Sequence, residues 1–320
     1  MKQLKETATK IKSMEIRGAG RIARAAAREL LEYSQRIAQD DIDEFNKKMK
    51  FAAELLVGTR PTAVSLPNAV RAVMRYKGTT VDEAKIDIKR LAEGFITGSE
   101  NAVKRIGEIG ARRVRDGDTI MTHCNSSAAI SIMAEAHAQG KDITVIATES
   151  RPRLQGLLTI SQLDKLGIKT SLIVDSAVRY FMKEVDLVVM GADAVTVNGS
   201  IINKIGTSQL AMAANEARKN VIIAAETYKF SPRSLLGELV EIEERDSSEV
   251  ISKEKLAQLP NVSVRNPAFD VTPREYIDLI CTEVGAIPPE MAYVIIKEFL
   301  GCGIEEMNSN GMKSVTESKI

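Results

Sequence analysis

From about residue 116 onward the sequence repeats one pattern, a short apolar run followed by a helical stretch. The runs are TIMTH (119–123), ITVIAT (143–148), SLIVD (171–175), LVVMG (187–191), VIIAA (221–225) and VSVR (262–265). A strand with one face in water alternates apolar and polar residues, whereas a continuously apolar strand is buried on both faces. Strands of the second kind, separated by helices, form a parallel sheet covered on both sides. The expected fold is therefore α/β, with a Rossmann-like, doubly wound parallel sheet. In such sheets ligands bind beyond the carboxyl ends of the strands, so the residues directly after each run are the candidates for chemistry.

The first part of the chain reads differently. Ile22, Ala26, Leu30, Tyr33 and Ile37 recur at helical spacing. A second helix is expected to end near Gly58. Pro61 and Pro67 punctuate a turn into a helix containing Val70, Val73 and Met74. Thr80 and Glu83 have capping-box spacing before an amphipathic run from Val81 to Leu91. No strand is expected here. The division is a helical N-terminal domain over 1–115 and a Rossmann-like α/β domain over 116–320, with a loosely ordered tail after Gly303.

Composition narrows the function classes. The net charge of +1 gives no basic field for nucleic acid, and the lack of tryptophan leaves little for stacking bases. No segment approaches the roughly 20 apolar residues of a membrane helix, and the charged N-terminus lacks the apolar core of a signal peptide. Cys124, Cys281 and Cys302 have neither an even count nor CxxC spacing, so a disulfide framework or zinc site is not expected and a reducing cytoplasm fits. His123 and His137 are too few for a His-rich metal site.

Cys124 follows the first run and leads through Asn125, Ser126 and Ser127 into an alanine-rich helix. A helix N-terminus can hold a phosphate or lower a thiol pKa, but a free cysteine is as readily a small buried hydrophobe. Asp193 follows the fourth run and is either a turn-capping carboxylate or, if burial raises its pKa, a general acid. Asn198, Gly199, Asn203, Lys204, Gly206 and Thr207 come next. Neither a Walker loop nor the GxGxxG dinucleotide fingerprint is present at these turns. Arg17 in EIRGAGR and Arg60 in VGTRPT sit beside glycine, which suits bidentate phosphate recognition. Arg21, Arg24 and Arg28 form one helical stripe that reads as a solvated face. TESRPRLQG offers Glu149, Arg151 and Gln155, and ETYKF offers Lys229. His123 faces away from Cys124 if the strand stays extended, and is read as structural.

Taken together, RGAGRIA, GTRPTAV, THCNSSA, ESRPRLQG, GADAVTVNGSIINKIGT and NPAFDVTP span nearly the whole chain. They resemble one superfamily: methylthioribose-1-phosphate isomerases, archaeal ribose-1,5-bisphosphate isomerases, and the regulatory subunits of the exchange factor for initiation factor 2. The resemblance is strongest to the archaeal isomerases. It implies that Cys124 is the proton acceptor and Asp193 the proton donor. It further implies substrate contacts at Arg17, Gly18, Ala19, Gly20, Arg60, Ser126, Ser127, Ala128, Asn203, Lys204 and Lys229. The methylthioribose enzymes usually have proline in the first motif, where this chain has Gly20 and Arg21, and must house an apolar methylthio group rather than a second phosphate. The exchange-factor subunits generally lack the Cys/Asp pair.

The implied reaction converts ribose 1,5-bisphosphate to ribulose 1,5-bisphosphate. Ring opening and proton movement from C2 need an acid and a base, with no metal or redox cofactor. A neutral Asp193 beside a Cys124 thiolate requires burial to raise the acid, and helix dipole plus cations to lower the thiol. The resemblance also implies AMP degradation within nucleotide salvage, a substrate supplied by nucleoside-monophosphate phosphorolysis, and a product consumed by ribulose-bisphosphate carboxylase. The expected assembly is a homo-oligomer, a dimer or hexamer. The alternatives are methylthioribose-1-phosphate isomerisation and a non-catalytic regulatory subunit.

Overall fold

The computed structural model describes residues 1–60, 63–236 and 240–301. Five helices come first: α1 (Lys2–Lys12), α2 (Ala19–Arg36), α3 (Ile42–Val57), α4 (Ser65–Met74) and α5 (Val81–Ala111). Their apolar faces meet in a core that includes Leu4, Ile11, Leu30, Phe45, Met49, Leu66 and Ile88. Thr80 and Glu83 close the capping box that starts α5. That helix continues well past Leu91, because Gly94 and Gly98 face open space and do not break it. Gly58 caps α3 with φ −62°, so it does not use glycine's left-handed freedom. Pro67 lies in the first turn of α4, where its missing N–H costs no helical bond. Pro61 and the tail beyond Gly303 fall outside the described residues.

The remainder alternates strands and helices. It runs β1 (Thr119–Thr122), α6 (Ser127–Ala138), β2 (Thr144–Thr148), α7 (Gly156–Lys165), β3 (Lys169–Ile173), α8 (Val178–Phe181), β4 (Leu187–Gly191), β5 (Ala194–Val195), β6 (Ile201–Lys204), α9 (Thr207–Glu216) and β7 (Asn220–Ala224). Then come α10 (Lys253–Ala257), β8 (Phe269–Thr272), β9 (Leu279–Thr282), β10 (Gly285–Ile287) and α11 (Ala292–Leu300). The main sheet has the order β10-β9-β7-β4-β1-β2-β3, parallel except for β10. Its six parallel strands follow the doubly wound order in which the winding reverses between β1 and β4. Successive side chains go to opposite faces: Ile120, Leu187 and Val189 pack toward α6, while Met121, Val188 and Met190 pack toward α9 and α11.

One expectation needs correction, and the structure adds one element. VSVR (262–265) is not a strand. Val262 is exposed, and the sixth parallel strand is Leu279–Thr282, whose apolar core is only three residues long. A small antiparallel sheet, β5-β6-β8, also stands on the main sheet's carboxyl side, and its short segments carry no strand signal in the sequence.

Several contacts join the two cores. The last turns of α5 press on α6, and α4 reaches the loop after β7, where Asn68 Nδ2 donates to the carbonyls of Tyr228 and Phe230, both at 2.8 Å. The α5–α6 approach depends on Gly107, where a Cβ would lie 2.8 Å from the Ser131 carbonyl oxygen. Gly98, on the exposed side of the same helix, meets nothing. Denaturant melts should therefore show opposite signs on one helix. Gly98→Ala gains about 1 kcal/mol of helix propensity, and Gly107→Ala loses about 1–3 kcal/mol through overpacking against backbone. Equal effects at both sites would contradict the packing described.

Candidate active site

The strand order places the ends of β1 and β4 side by side, with Ile120 opposite Leu187 and Met121 opposite Val188. Cys124 stands just past β1 and Asp193 just past β4, so both lie at the point where the winding of the sheet reverses. Ligands in this architecture bind in the crevice that such a reversal opens.

Cys124 is held in an unusual backbone conformation. Its φ is +65°, a left-handed value that costs a non-glycine residue about 1–3 kcal/mol and persists only where neighbours enforce it. Here they do so from two sides. The Cys124 N–H donates to Ser150 Oγ at 2.7 Å, and Thr159 Oγ1 donates to the Cys124 carbonyl at 2.7 Å. Ser150 is in turn fixed by its own N–H, which donates to Asp175 Oδ1 at 2.8 Å. The ends of β1, β2 and β3 are thus laced together around the cysteine. Ser126 caps α6, accepting from the Ala129 N–H, and Ser127 and Ala128 begin that helix.

His123 is buried, with both ring nitrogens engaged. Its Nε2 lies 2.8 Å from the Ile205 carbonyl and its Nδ1 2.6 Å from Thr148 Oγ1. A carbonyl only accepts, so Nε2 carries the proton and Nδ1 accepts from the hydroxyl. Burial holds the ring neutral. A Cβ on Gly206 would stand 2.9 Å from the ring, so the turn into α9 needs glycine there.

Asp193 is half-buried, and desolvation pushes its carboxyl above the ordinary range, while Lys229, Lys204 and Arg60 pull it back. Desolvation thus makes Asp193 a weaker acid than a free carboxyl, the direction a proton donor needs. Cys124 departs from expectation. Its side chain is partly exposed, but desolvation pushes the thiol up to about 11 against the pull of Lys204. The expected lowering by helix dipole and cations is therefore overturned: among the surroundings of Cys124, burial outweighs the single nearby ammonium.

Lys204 is buried, donates to the Ala268 carbonyl at 3.0 Å and lies 4.9 Å from the Phe269 ring centre. Lys229 is buried and paired with Glu226 Oε2 at 2.7 Å. Arg60 NH2 lies 3.1 Å from Glu243 Oε2. Asn203 Nδ2 donates to Thr207 Oγ1 at 3.0 Å, tying β6 to α9. Cys124, Asp193, Lys204, Lys229 and Arg60 thus share one electrostatic neighbourhood. The first-motif residues approach from the helical half. Gly20 in α2 comes so close to Tyr228 that a Cβ would stand 2.8 Å from its hydroxyl. The Ala19 carbonyl accepts from Ser65 Oγ at 3.2 Å. Gly18 caps α2 with φ +89°, and Arg17 is exposed, its Nε donating to the Met14 carbonyl at 2.9 Å. Among the described residues no hydrogen bond or ion pair joins Arg17 to Cys124 or Asp193.

Several residues of this site escape sequence reasoning. Glu226 and Tyr228 precede Lys229, and only the lysine stands out in ETYKF. Arg153 and Arg245 both engage Glu249, at 2.6 and 3.3 Å, and Arg245 lies within electrostatic reach of Lys204 and Arg60. Gln155, which the sequence does offer, has its Oε1 buried with no hydrogen-bond partner among the described residues. Arg24 is not simply solvated: its NH1 donates to Ser99 Oγ at 3.0 Å, and that hydroxyl donates to Tyr228 at 3.3 Å. Asn198 serves its own turn, accepting from the Ser200 N–H. Cys281 is a buried core residue of β9.

Comparison with known proteins agrees with this architecture. A protein named ribose 1,5-bisphosphate isomerase from Archaeoglobus fulgidus is 59% identical over 307 residues, covering 96% of each chain. One of the same name from Methanocaldococcus jannaschii is 54% identical, covering 93% of this chain and 96% of its own. A solved structure of 5-methylthioribose 1-phosphate isomerase from Pyrococcus horikoshii superposes with a TM-score of 0.72 at 30% identity, over 94% of this chain and 88% of that one. Residues 15–289 match the Initiation factor 2 subunit family. With the doubly wound sheet, the helical N-terminal half and the paired strand ends in place, the chain belongs to that family.

Proposed function

We propose that this protein isomerises ribose 1,5-bisphosphate to ribulose 1,5-bisphosphate, with Asp193 as acid and Cys124 as base. The observation that carries the reading is the placement of a cysteine and an aspartate of raised proton affinity at the reversal of the sheet, among Lys204, Lys229 and Arg60. The name shared by the archaeal relatives supports it. Asp193 gives its proton to the ring oxygen as the bond between that oxygen and C1 breaks. Cys124 takes the proton from C2, leaving an enol phosphate with a C1–C2 double bond. The thiol then returns a proton to C1, and the Asp193 carboxylate accepts the C2 hydroxyl proton as the ketone forms. Both groups end as they began.

The raised thiol shapes the proton inventory. Cys–SH with Asp–COO⁻ and Cys–S⁻ with Asp–COOH carry the same number of protons, so their ratio is independent of pH and is set by the difference between the two affinities. Burial raises Asp193 and Lys204 favours the thiolate, and both effects enlarge the active minority. We assign phosphate and sugar contacts to Arg17, Gly18, Ala19, Gly20, Arg60, Ser126, Ser127, Ala128, Asn203, Lys204 and Lys229. Arg60 must then exchange Glu243 for phosphate, while the Lys229 ammonium, with three donors, can meet phosphate and keep Glu226. The proposal extends to a helical unit over 1–115 and a sheet unit over 116–320, a homo-oligomer, and a cytoplasmic place in AMP degradation. No helix among the described residues is long and apolar enough to cross a membrane.

Cys124→Ser and Asp193→Asn should each lower kcat by about 10²–10⁴-fold while ligand affinity survives. Cys281→Ser should leave turnover nearly unchanged. Wild-type protein assayed side by side on ribose 1,5-bisphosphate and methylthioribose 1-phosphate should turn over the bisphosphate. Preference for the methylthio sugar would reassign the substrate, and near-normal turnover by Cys124→Ser would sink the mechanism.

The pH dependence of kcat/KM should be a bell. At low pH both groups are protonated and no thiolate exists. As pH rises through the Asp193 pKa, above the usual carboxylate range, the pair loses one proton and activity appears. It disappears as pH passes the Cys124 value of about 11, where the second proton leaves and no acid remains. A rate independent of pH across the lower limb would contradict this assignment.

A further inference from the structure

Glu226 has no part in the proton transfers just described, yet it is one of the most deeply buried charges in the molecule, with 2% of its surface exposed. It follows β7, and its two oxygens are used differently. Oε2 lies 2.7 Å from Lys229 Nζ, and Oε1 accepts from Tyr228 Oη at 2.9 Å. Tyr228 is itself locked from the helical half, through Ser99 and Arg24 and by the close approach of Gly20. Burying a carboxylate is costly unless it is paired and hydrogen-bonded, and this one is both. Its network joins α2 and α5 to the turn that carries Lys229.

The groups around Asp193 are Lys229, Lys204 and Arg60, which favour its carboxylate form, together with Glu226, which opposes it; Cys124 is within electrostatic reach. Around Glu226 are Lys229, Tyr228, Asp193 and Glu283, with Arg24 acting on Tyr228. Lys229 is thus ion-paired with Glu226 and also acts electrostatically on Asp193, so two carboxyl groups compete for one ammonium. The one that takes the ammonium stays charged, and the other is left to keep its proton.

We propose that Glu226 is a positioning residue for the catalytic proton: by engaging the Lys229 ammonium in the buried ion pair, it keeps that cation from drawing Asp193 into its carboxylate form. This rests on the acid role assigned to Asp193 above. Neutralising Glu226 removes a negative neighbour of Asp193 and leaves Lys229 without its partner. Both changes favour the Asp193 carboxylate and shrink the fraction of pairs with the proton on Asp193 and the charge on Cys124.

The signature is quantitative. If Asp193 loses proton affinity by one pH unit, the acid limb of kcat/KM moves one unit lower and the plateau falls tenfold, because the same affinity sets both. A merely structural defect lowers the plateau and leaves the limb in place. The test is Glu226→Gln against wild type and Glu226→Asp. Glu226→Gln should show a plateau about tenfold lower and a limb shifted down by the matching amount, and Glu226→Asp, which keeps the charge, should restore most of both. A fallen plateau with an unmoved limb would overturn the proposal.

A second readout needs no substrate. The carboxylic-acid carbonyl stretch of Asp193, isolated as an infrared difference between proteins with Asp193 and with Asp193→Asn, is followed against pH. Its midpoint should fall in Glu226→Gln, and an unchanged midpoint overturns the proposal. Should Glu226→Gln not fold, the same comparison is made in a Lys229→Met background, which removes the cation that the substitution strands. There the Glu226 substitution should move the midpoint little, because the cation it restrains is gone, and a shift of a full pH unit in that background would overturn the proposal. Wild-type protein that fails to turn over ribose 1,5-bisphosphate would sink the substrate reading alone, since the infrared titration stands without it.

Discussion

In a doubly wound sheet the two central strands send their following helices to opposite faces, and the backbone parts between them. Here those strands are β1 and β4, paired at Ile120–Leu187 and Met121–Val188. The gap they leave is where a side chain just past β1 meets one just past β4. Everything distinctive about the site follows from filling that gap. The left-handed turn at Cys124 stands at its edge, held by Ser150 and Thr159 from neighbouring segments. The small sheet that carries Lys204 rises on the same side, its first strand starting just after β4 ends.

The helical half completes the enclosure. Asn68 bonds the carbonyls of Tyr228 and Phe230, Gly20 abuts Tyr228, and Val64 packs with Ala194 and Ile202 of the small sheet. These contacts fall on the loops that bear Asp193 and Lys229 rather than on the main sheet itself. Removing water from those loops is what raises Asp193 and makes each ion pair there electrostatically strong. The same burial raises the Cys124 thiol. A site built to keep one proton on an acid necessarily makes its base reluctant to give one up, and the surrounding ammonium groups set the compromise.

How much of this the sequence could show depends on the range of the interaction. Runs such as LVVMG and VIIAA are apolar at every position because both faces are covered, a local signal of a global fact, so five of the six parallel strands could be read directly. LICT fails as a signal because its apolar core is three residues long, while VSVR mimics a strand but has no ladder partners to pair with. Cys124 and Asp193 stand out because strand ends in this fold class are where chemistry sits. Glu226 does not, since its meaning lies in Lys229, Tyr228 and Asp193 converging on it from separate positions, and in a burial no local pattern reveals. The thiol's raised proton affinity is hidden for the same reason: the helix and the lysine are visible in sequence order, and desolvation is not.

The central claim is that the sugar bridges the ends of β1 and β4 with its C2 at Cys124 and its ring oxygen at Asp193. The most direct test is the structure of Cys124→Ser with ribose 1,5-bisphosphate bound. The account predicts the introduced serine hydroxyl facing C2 and an Asp193 oxygen within about 2.6–3.2 Å of the ring oxygen. It also predicts that Arg60 leaves Glu243 to meet phosphate, and that Lys229 meets phosphate while staying paired with Glu226. A sugar bound elsewhere, or turned so that neither residue reaches its reacting atoms, would contradict it.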